Sequence, residues 1–106
     1  MIITTSSFIA GKRVTRSFGI VRGNTIRARH IGKDIIAVFK NIVGGEIEEY
    51  TKLMAESRDQ SLDRMTADAE RLGANAIIDV RFSTSFIMQS AAEILVYGTA
   101  VLVEDE

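Results

Sequence analysis

Most side chains that could do chemistry lie in the middle third of the chain. Glu46 and Glu49 could hold a cation, Tyr50 could exchange a proton, and Arg58 could bind a carboxylate or a phosphate. His30 is the single histidine, and there is no cysteine. The sequence therefore excludes disulfides, thiolate metal sites, cysteine nucleophiles and any multi-histidine site within one chain.

Metal binding and catalysis both lack a strong pattern. Soft metals prefer thiolates or several imidazoles, so a metal would depend on Glu46 and Glu49, with Glu48 of a symmetry mate, or on His30 side chains meeting on a symmetry axis. Nothing places Tyr50 and Arg58 beside these groups as an acid–base set. We therefore expect no cofactor and no enzyme, and keep an intersubunit active site around Tyr50 and Arg58 as the alternative.

One long helix is predicted over Glu46–Leu72. Its apolar residues recur at helical spacing, acidic residues occupy its first turn, and Gly73 follows its last turn. At about 1.5 Å per residue the helix is roughly 40 Å long, whereas a compact domain of this size is a sphere about 34 Å across. The helix should overhang its domain, which predicts a partner subunit.

Arg58 falls inside the apolar stripe of this helix, beside Ser57 and Ser61. A guanidinium that is partly buried needs a partner. The structural interpretation is that this partner is a carboxylate from the sheet or from a neighbouring subunit, such as Asp79, or a set of carbonyl oxygens. The functional interpretation is an anionic ligand held in a cleft between subunits.

Gly44 and Gly45 precede the helix, as in loops that cradle anions at a helix N-terminus. The glutamates of the first turn would repel a phosphate there. A tight corner between two helices is the better interpretation.

Charge is distributed unevenly along the chain. Residues 1–43 carry eight Lys and Arg against one acidic residue, whereas residues 44–106 carry five against thirteen, and the net charge is −1. A basic half can indicate nucleic-acid binding. No aromatic interleaving or nucleic-acid motif accompanies it, so we expect the halves to pair with each other and nucleic acid not to be a partner.

The first part of the chain reads as short strands. Met1–Ser6 is β-branched, Phe8–Gly11 is a turn, and Arg13–Arg22 is a strand bounded by Gly23 and Asn24. Gly19 within this strand indicates a bulge or a close approach of another backbone segment. Thr25–Arg29 is a further short extended piece. The following segment fits either a helix or a strand, and a short helix over Gly32–Asn41 is favoured.

After Gly73 the apolar residues alternate. Ala76, Ile78, Val80 and Phe82 share one face of a strand, and Glu93–Val103 is a second strand. Ser83–Ala92 connects them and carries the apolar run Phe86–Met88, which is unusual for a monomer. The elements predict one α+β domain over residues 1–106, with a mostly antiparallel sheet covered by the long helix and a short one. No 20-residue apolar run exists, so we expect no membrane contact and a cytoplasmic protein.

Several spaced motifs resemble those of the YbjQ-like family of small bacterial and archaeal proteins. The matching features are an aspartate leading an apolar segment to Val-Gly-Gly, a tyrosine, a mid-helix arginine, Leu-Gly-Ala-Asn-Ala and Gly-Thr-Ala-Val. They stand at Asp34, Val43–Gly45, Tyr50, Arg58, Leu72–Ala76 and Gly98–Val101.

The resemblance covers nearly the whole chain. It implies a dodecin-like β-α-β-β core, a ring-shaped homopentamer and a heavy-metal-binding label. Ligand-binding or structural roles then fall on Gly44, Gly45, Tyr50, Arg58 and Asn75. The chain departs from the pattern at Glu46, where a basic residue is frequent, at Asp79, where glycine is common, and in Arg81–Ser85, which lacks an acidic stretch.

Overall fold

The fold is a four-stranded sheet with one long helix on one face. The structure, a computed structural model, describes residues 1–28, 45–88 and 91–106. Its elements are β1 (Ile2–Ile3), β2 (Lys12–Ala28), α1 (Gly45–Leu72), β3 (Ala76–Met88) and β4 (Ala91–Asp105). The strand order is β1-β3-β4-β2, with β1 parallel to β3 and both other pairs antiparallel. The predicted α+β class and mostly antiparallel sheet are confirmed; the predicted helix over Gly32–Asn41 lies outside the described residues.

The C-terminal end of α1 is closed by a Schellman motif. Gly73 has a φ of 92°, which favours glycine. Its backbone N–H donates to the carbonyl of Glu70 at 3.0 Å, and the N–H of Ala74 donates to that of Ala69 at 3.2 Å. The two alanines at this end belong to the buried core. The predicted end at Leu72 is therefore confirmed, and the helix begins one residue earlier than predicted.

The predicted overhang of the helix is wrong. The chain measures 57 × 22 × 16 Å, and its radius of gyration is 17.5 Å. β2 alone has 17 residues, which at about 3.3 Å per residue span about 56 Å. A 40 Å helix fits within that length, so helix length gives no argument for a partner.

β2 is one continuous strand, which corrects the predicted break at Gly23 and Asn24. Both residues are in register with β4, opposite Val96 and Leu95. Of the two interpretations of Gly19, the bulge is confirmed, since the register shifts between Ser17 and Gly19 and Gly19 has a φ of 92°.

β3 also extends further than predicted. It runs to Met88, so most of the predicted connection Ser83–Ala92 is strand, and β4 begins at Ala91. Phe86 lies on this strand and is 75% exposed.

A bulge at Asp79 changes which residues of β3 face the helix. Register shifts between Ile78 and Arg81, and Asp79 has a φ of 54°. As a result Ile77 and Val80 both join the core beneath the helix. Ala76 and Ile78 instead pack on the opposite face with Val101, Val103 and Ile9. The predicted single face of Ala76, Ile78, Val80 and Phe82 is therefore wrong.

Candidate functional site

Arg58 does not lie on the buried face of α1. Its side chain is exposed in the chain, whereas Ser57 and Ser61 are fully buried. The face of α1 that packs on the sheet is therefore formed by these two serines together with Met65 and Ala69, which are also fully buried. The pairing of Arg58 with Asp79 within one chain is therefore wrong, and Asp79 instead accepts a hydrogen bond from the Ser7 hydroxyl at 2.7 Å. A partner for Arg58 in a neighbouring subunit stays a prediction.

A hydroxyl cluster takes the place expected for Arg58 beneath the helix. The Ser61 Oγ lies 2.8 Å from the Thr25 Oγ1, 2.9 Å from the Ser57 carbonyl and 3.2 Å from the Ile94 carbonyl. A hydroxyl has one proton and carbonyls only accept, so Thr25 donates to Ser61 and Ser61 donates onward. The cluster satisfies its buried polar atoms and joins the helix to β2 and β4.

The other predicted site residues are not brought together by the described structure. Tyr50 lies on α1 eight residues before Arg58, about 12 Å along the axis and about 80° around it. Gly45 is the first residue of α1, and Glu46 and Glu49 follow in its first turns. Gly44 and His30 lie outside the described residues.

Asn75 has a clear structural contact. Its Nδ2 donates to the Val103 carbonyl at 2.9 Å, and its Oδ1 accepts from the Val103 N–H at 2.8 Å. The amide therefore continues the strand pairing between the helix end and β4.

Some basic residues of the N-terminal part of the chain pair with acidic residues of the C-terminal part. Lys12 Nζ lies 2.6 Å from the Asp105 carboxylate, and Arg13 lies 3.4 Å from that of Glu104, both across β2 and β4. The hydrogen bond from Lys12, and then its charge, lower the pKa of Asp105. These contacts are exposed pairs, which contribute little to stability.

The outer face of the sheet carries a row of side chains that sequence reasoning missed. Arg22 and Arg81 both stand opposite Tyr97 of β4 in the strand register. All three are exposed, and the chain neighbours Val21, Val96 and Val80 point into the helix-side core. The residues come from three strands, so only the register brings them together.

Two strand edges of the sheet are open within the described residues. β2 pairs only with β4 along its whole length, and β1 pairs with β3 only at Ala76 and Ile77. Backbone carbonyls of residues 4–6 accept hydrogen bonds from the N–H groups of Asp79 and Val80. Among the described residues, the edge of β3 is therefore open from Arg81 onwards. Phe82 and Phe86 on this part are 47% and 75% exposed. They stand opposite Val96 and Ala92, on the helix side of the sheet.

The described residues form a mixed four-stranded sheet with a helix on one face and an outer face that is only partly covered. This arrangement defines a small α+β domain, and no catalytic cluster is visible in its described parts. Comparison with known sequences identifies it further. The chain belongs to the YbjQ family, whose sequence model matches residues 1–104 and is described as "putative heavy-metal-binding".

Its relatives span bacteria and archaea. A UPF0145 protein of Dehalococcoides mccartyi is 59% identical over 104 residues, covering 98% of this chain and all of the relative. A UPF0145 protein of Archaeoglobus fulgidus is 54% identical, covering 95% of this chain and 94% of the relative. The predicted family resemblance is confirmed.

A solved structure supports the fold. The crystal structure of a protein of unknown function from Pediococcus pentosaceus, of the DUF74 family, superposes with a TM-score of 0.68 at 17% identity. The match covers 98% of each chain. At this identity the likeness concerns the fold.

The described residues do not fit a heavy-metal site. No group of three or more His, Asp or Glu side chains in those ranges is placed to hold an ion. The whole chain has no cysteine and one histidine, whereas soft metals prefer several thiolate or imidazole ligands. Among the described residues, no helix is long and apolar enough to cross a bilayer.

Proposed function

We propose that this chain is a non-enzymatic subunit of a homo-oligomer, a ring of five copies that binds a small ligand in clefts between subunits. The observation that carries the proposal is a pair of strand edges, on opposite sides of one sheet, that no strand among residues 1–28, 45–88 and 91–106 covers. Unpaired edges present rows of N–H and C=O groups that another strand can bind. The five-fold ring and the dodecin-like core come from the family resemblance.

Exposed aromatic residues support an assembly through β3. Phe82 and Phe86 lie on the part of the helix-side face that α1 leaves uncovered, because α1 packs mainly on β2 and β4. Covering the exposed area of such side chains is favourable by about 25 cal/mol per Å². A neighbour that pairs its β2 edge with this β3 edge would cover both rings, and repeating that head-to-tail contact closes a ring.

Light scattering after size-exclusion chromatography tests the assembly. Five chains of 11.7 kDa give a mass of about 59 kDa. We expect that mass for the native chain and a smaller one for Phe86→Ser. The matched control is Ile20→Ser, which replaces an apolar residue that is 80% exposed on the outer face and should keep the native mass. A monomeric native chain would overturn the proposal.

Arg58 and Tyr50 remain the proposed ligand contacts. Arg58 is exposed on α1, where a neighbouring subunit can complete a cleft around it. A metabolite screen by thermal shift should find a compound that raises the melting temperature without being consumed, since binding to the native state stabilises it. Arg58→Met should abolish that shift, whereas Lys52→Met, at another exposed position of α1, should not. Turnover of the compound would favour the enzyme alternative. The proposed compartment is the cytoplasm.

A further inference from the structure

The outer face of the sheet carries two arginines on either side of one tyrosine. Tyr97 lies on the central strand β4, with Arg22 opposite it on β2 and Arg81 opposite it on β3. Neighbouring strands are about 4.8 Å apart, so the two arginine Cα atoms lie about 10 Å apart with the phenol ring between them. We call these three residues the Arg–Tyr–Arg row.

The backbone forces the row to face outwards. Gly23, next to Arg22, lies directly beneath α1, and Val96, next to Tyr97, is fully buried in the core. Successive side chains on a strand point to opposite faces. The three side chains of the row therefore project together, away from the helix.

The row has no carboxylate partner among the described residues. None of the ion pairs found there includes Arg22 or Arg81. Glu93 is four residues along β4 from Tyr97 and accepts a hydrogen bond from Asn24 at 3.2 Å. Asp79 accepts the Ser7 hydroxyl.

Arg81 is held in place while most of its donors stay available. Its Nη1 donates to the Thr5 and Val80 carbonyls, each at 2.9 Å. A guanidinium has five N–H donors in a fixed fork. In the part of the chain that the structure describes, no further hydrogen bond to this guanidinium is found. Its Nη1 is held on the β1 side of β3, and the three N–H donors of Nε and Nη2 can bind an oxyanion.

We propose that the Arg–Tyr–Arg row binds a small molecule bearing a phosphate monoester. The two guanidinium forks match phosphate oxygens, and the Tyr97 hydroxyl can donate a third hydrogen bond from the centre of the row. The ring of Tyr97 offers an apolar surface for the organic part of the ligand. The site lies within one chain, so it does not depend on the proposed assembly or on the proposed cleft at Arg58.

Titration calorimetry with phenyl phosphate, at constant ionic strength, tests the site on the full chain. We expect saturable binding with one site per chain, and weaker binding of inorganic phosphate, which lacks the ring. Arg22→Gln and Arg81→Gln should each weaken phenyl phosphate binding about tenfold, as expected for the loss of hydrogen bonds to a charged group. Tyr97→Phe should weaken it less, because only one hydrogen bond is lost.

Arg13→Gln is the matched control, since it removes the same charge from an exposed position of the same strand. It should leave the affinity within about twofold, as surface charges at a distance are screened. An equal loss in Arg13→Gln would reduce the binding to general electrostatic attraction and overturn the proposal. Equal binding of inorganic phosphate and phenyl phosphate would also overturn the proposal, since the site would then not recognise a phosphate monoester.

Light scattering on the same variants separates this site from the assembly. Arg22→Gln should keep the native mass, and a change of mass would show that the row is a contact between subunits and overturn the proposal. Because Arg81 also holds the Thr5 carbonyl, its variant could loosen the N-terminal segment. Arg22→Gln and Tyr97→Phe carry no such contact, so unchanged phenyl phosphate affinity in both would overturn the site.

Discussion

The two faces of β2 follow opposite rules. Val21, Gly23 and Thr25 are buried beneath α1, whereas Arg22 and Ile26, which alternate with them, are exposed. On the helix side each position is limited by the space that the helix leaves. On the outer side the same strand is free to carry charge and exposed apolar groups. β2 therefore packs against α1 with one face and presents exposed side chains that could bind a ligand on the other face.

Among substitutions on the two faces of β2, Gly23→Ala should cause the largest loss of stability. A Cβ at this position would lie 2.5 Å from the backbone N of Met65 and closer still to the Ser61 carbonyl. Backbone atoms of a packed helix cannot move aside cheaply, so we expect a loss of about 3 kcal/mol in the free energy of unfolding. Urea unfolding at one fixed protomer concentration measures it.

Arg22→Ala is the matched control for that substitution, because Arg22 is the neighbouring residue of β2 and its side chain lies on the exposed outer face of the sheet. Exposed substitutions away from packed features change stability by about 0.5 kcal/mol or less. Equal stabilities of the two variants would mean that α1 does not lie against β2 at Gly23.

Ser61→Ala tests the polar part of the helix side. The Thr25 hydroxyl would lose its acceptor in a buried position, which costs about 1–3 kcal/mol. Adding Thr25→Val removes the orphaned hydroxyl. The double variant should therefore be more stable than the sum of the two single changes predicts, by about 1 kcal/mol. A double-mutant cycle by urea unfolding measures the coupling, and strictly additive effects would contradict the hydroxyl cluster.

The sequence predicted the elements of this fold better than their faces. The helix end at Leu72 and the bulge at Gly19 depend on local backbone preferences, which residue types carry directly. The break at Gly23 was wrong because the glycine serves a close approach of two backbones rather than a turn. Arg58 was placed in the stripe because large apolar residues defined it, whereas the helix packs through Ser57 and Ser61.

The candidate site on the outer face could not be read from the sequence. Arg22, Tyr97 and Arg81 are far apart along the chain, and their alignment depends on the register of three strands. That register in turn depends on the bulge at Asp79. The family pattern held a signal for that bulge, because glycine is common at this position and the observed φ is 54°.

Substitutions at Asp79 should affect stability less than those at Gly23, and they test the bulge that assigns β3 residues to each face. Asp79→Ala should lower the free energy of unfolding by about 1 kcal/mol, since alanine tolerates left-handed backbone poorly. Asp79→Gly should stay within about 0.5 kcal/mol of the native chain, because relief of backbone strain offsets the lost Ser7 hydrogen bond. Thermal unfolding of the two variants measures the difference. A less stable glycine variant would show that the carboxylate, not the backbone, fixes the bulge.

The smallest effect is expected at the rim of the sheet, where Lys12 and Asp105 form an ion pair across the ends of β2 and β4. The hydrogen bond and charge of Lys12 lower the pKa of Asp105 below its ordinary value of 3.8. A carboxyl whose pKa is lower in the folded state stabilises the fold above the unfolded pKa, and this contribution is lost as pH falls through the folded pKa. Carbon-detected NMR titration should therefore find the pKa of Asp105 rising towards 3.8 in Lys12→Gln. In Arg13→Gln the pKa of Asp105 should change less, because Arg13 pairs with Glu104.

Since the carboxylate of Asp105 is exposed, solvent screens its pair with Lys12, and stability near neutral pH should hardly differ between the native chain and Lys12→Gln. A large loss of stability in Lys12→Gln would mean that the rim, and not the packed helix side, holds the two long strands together.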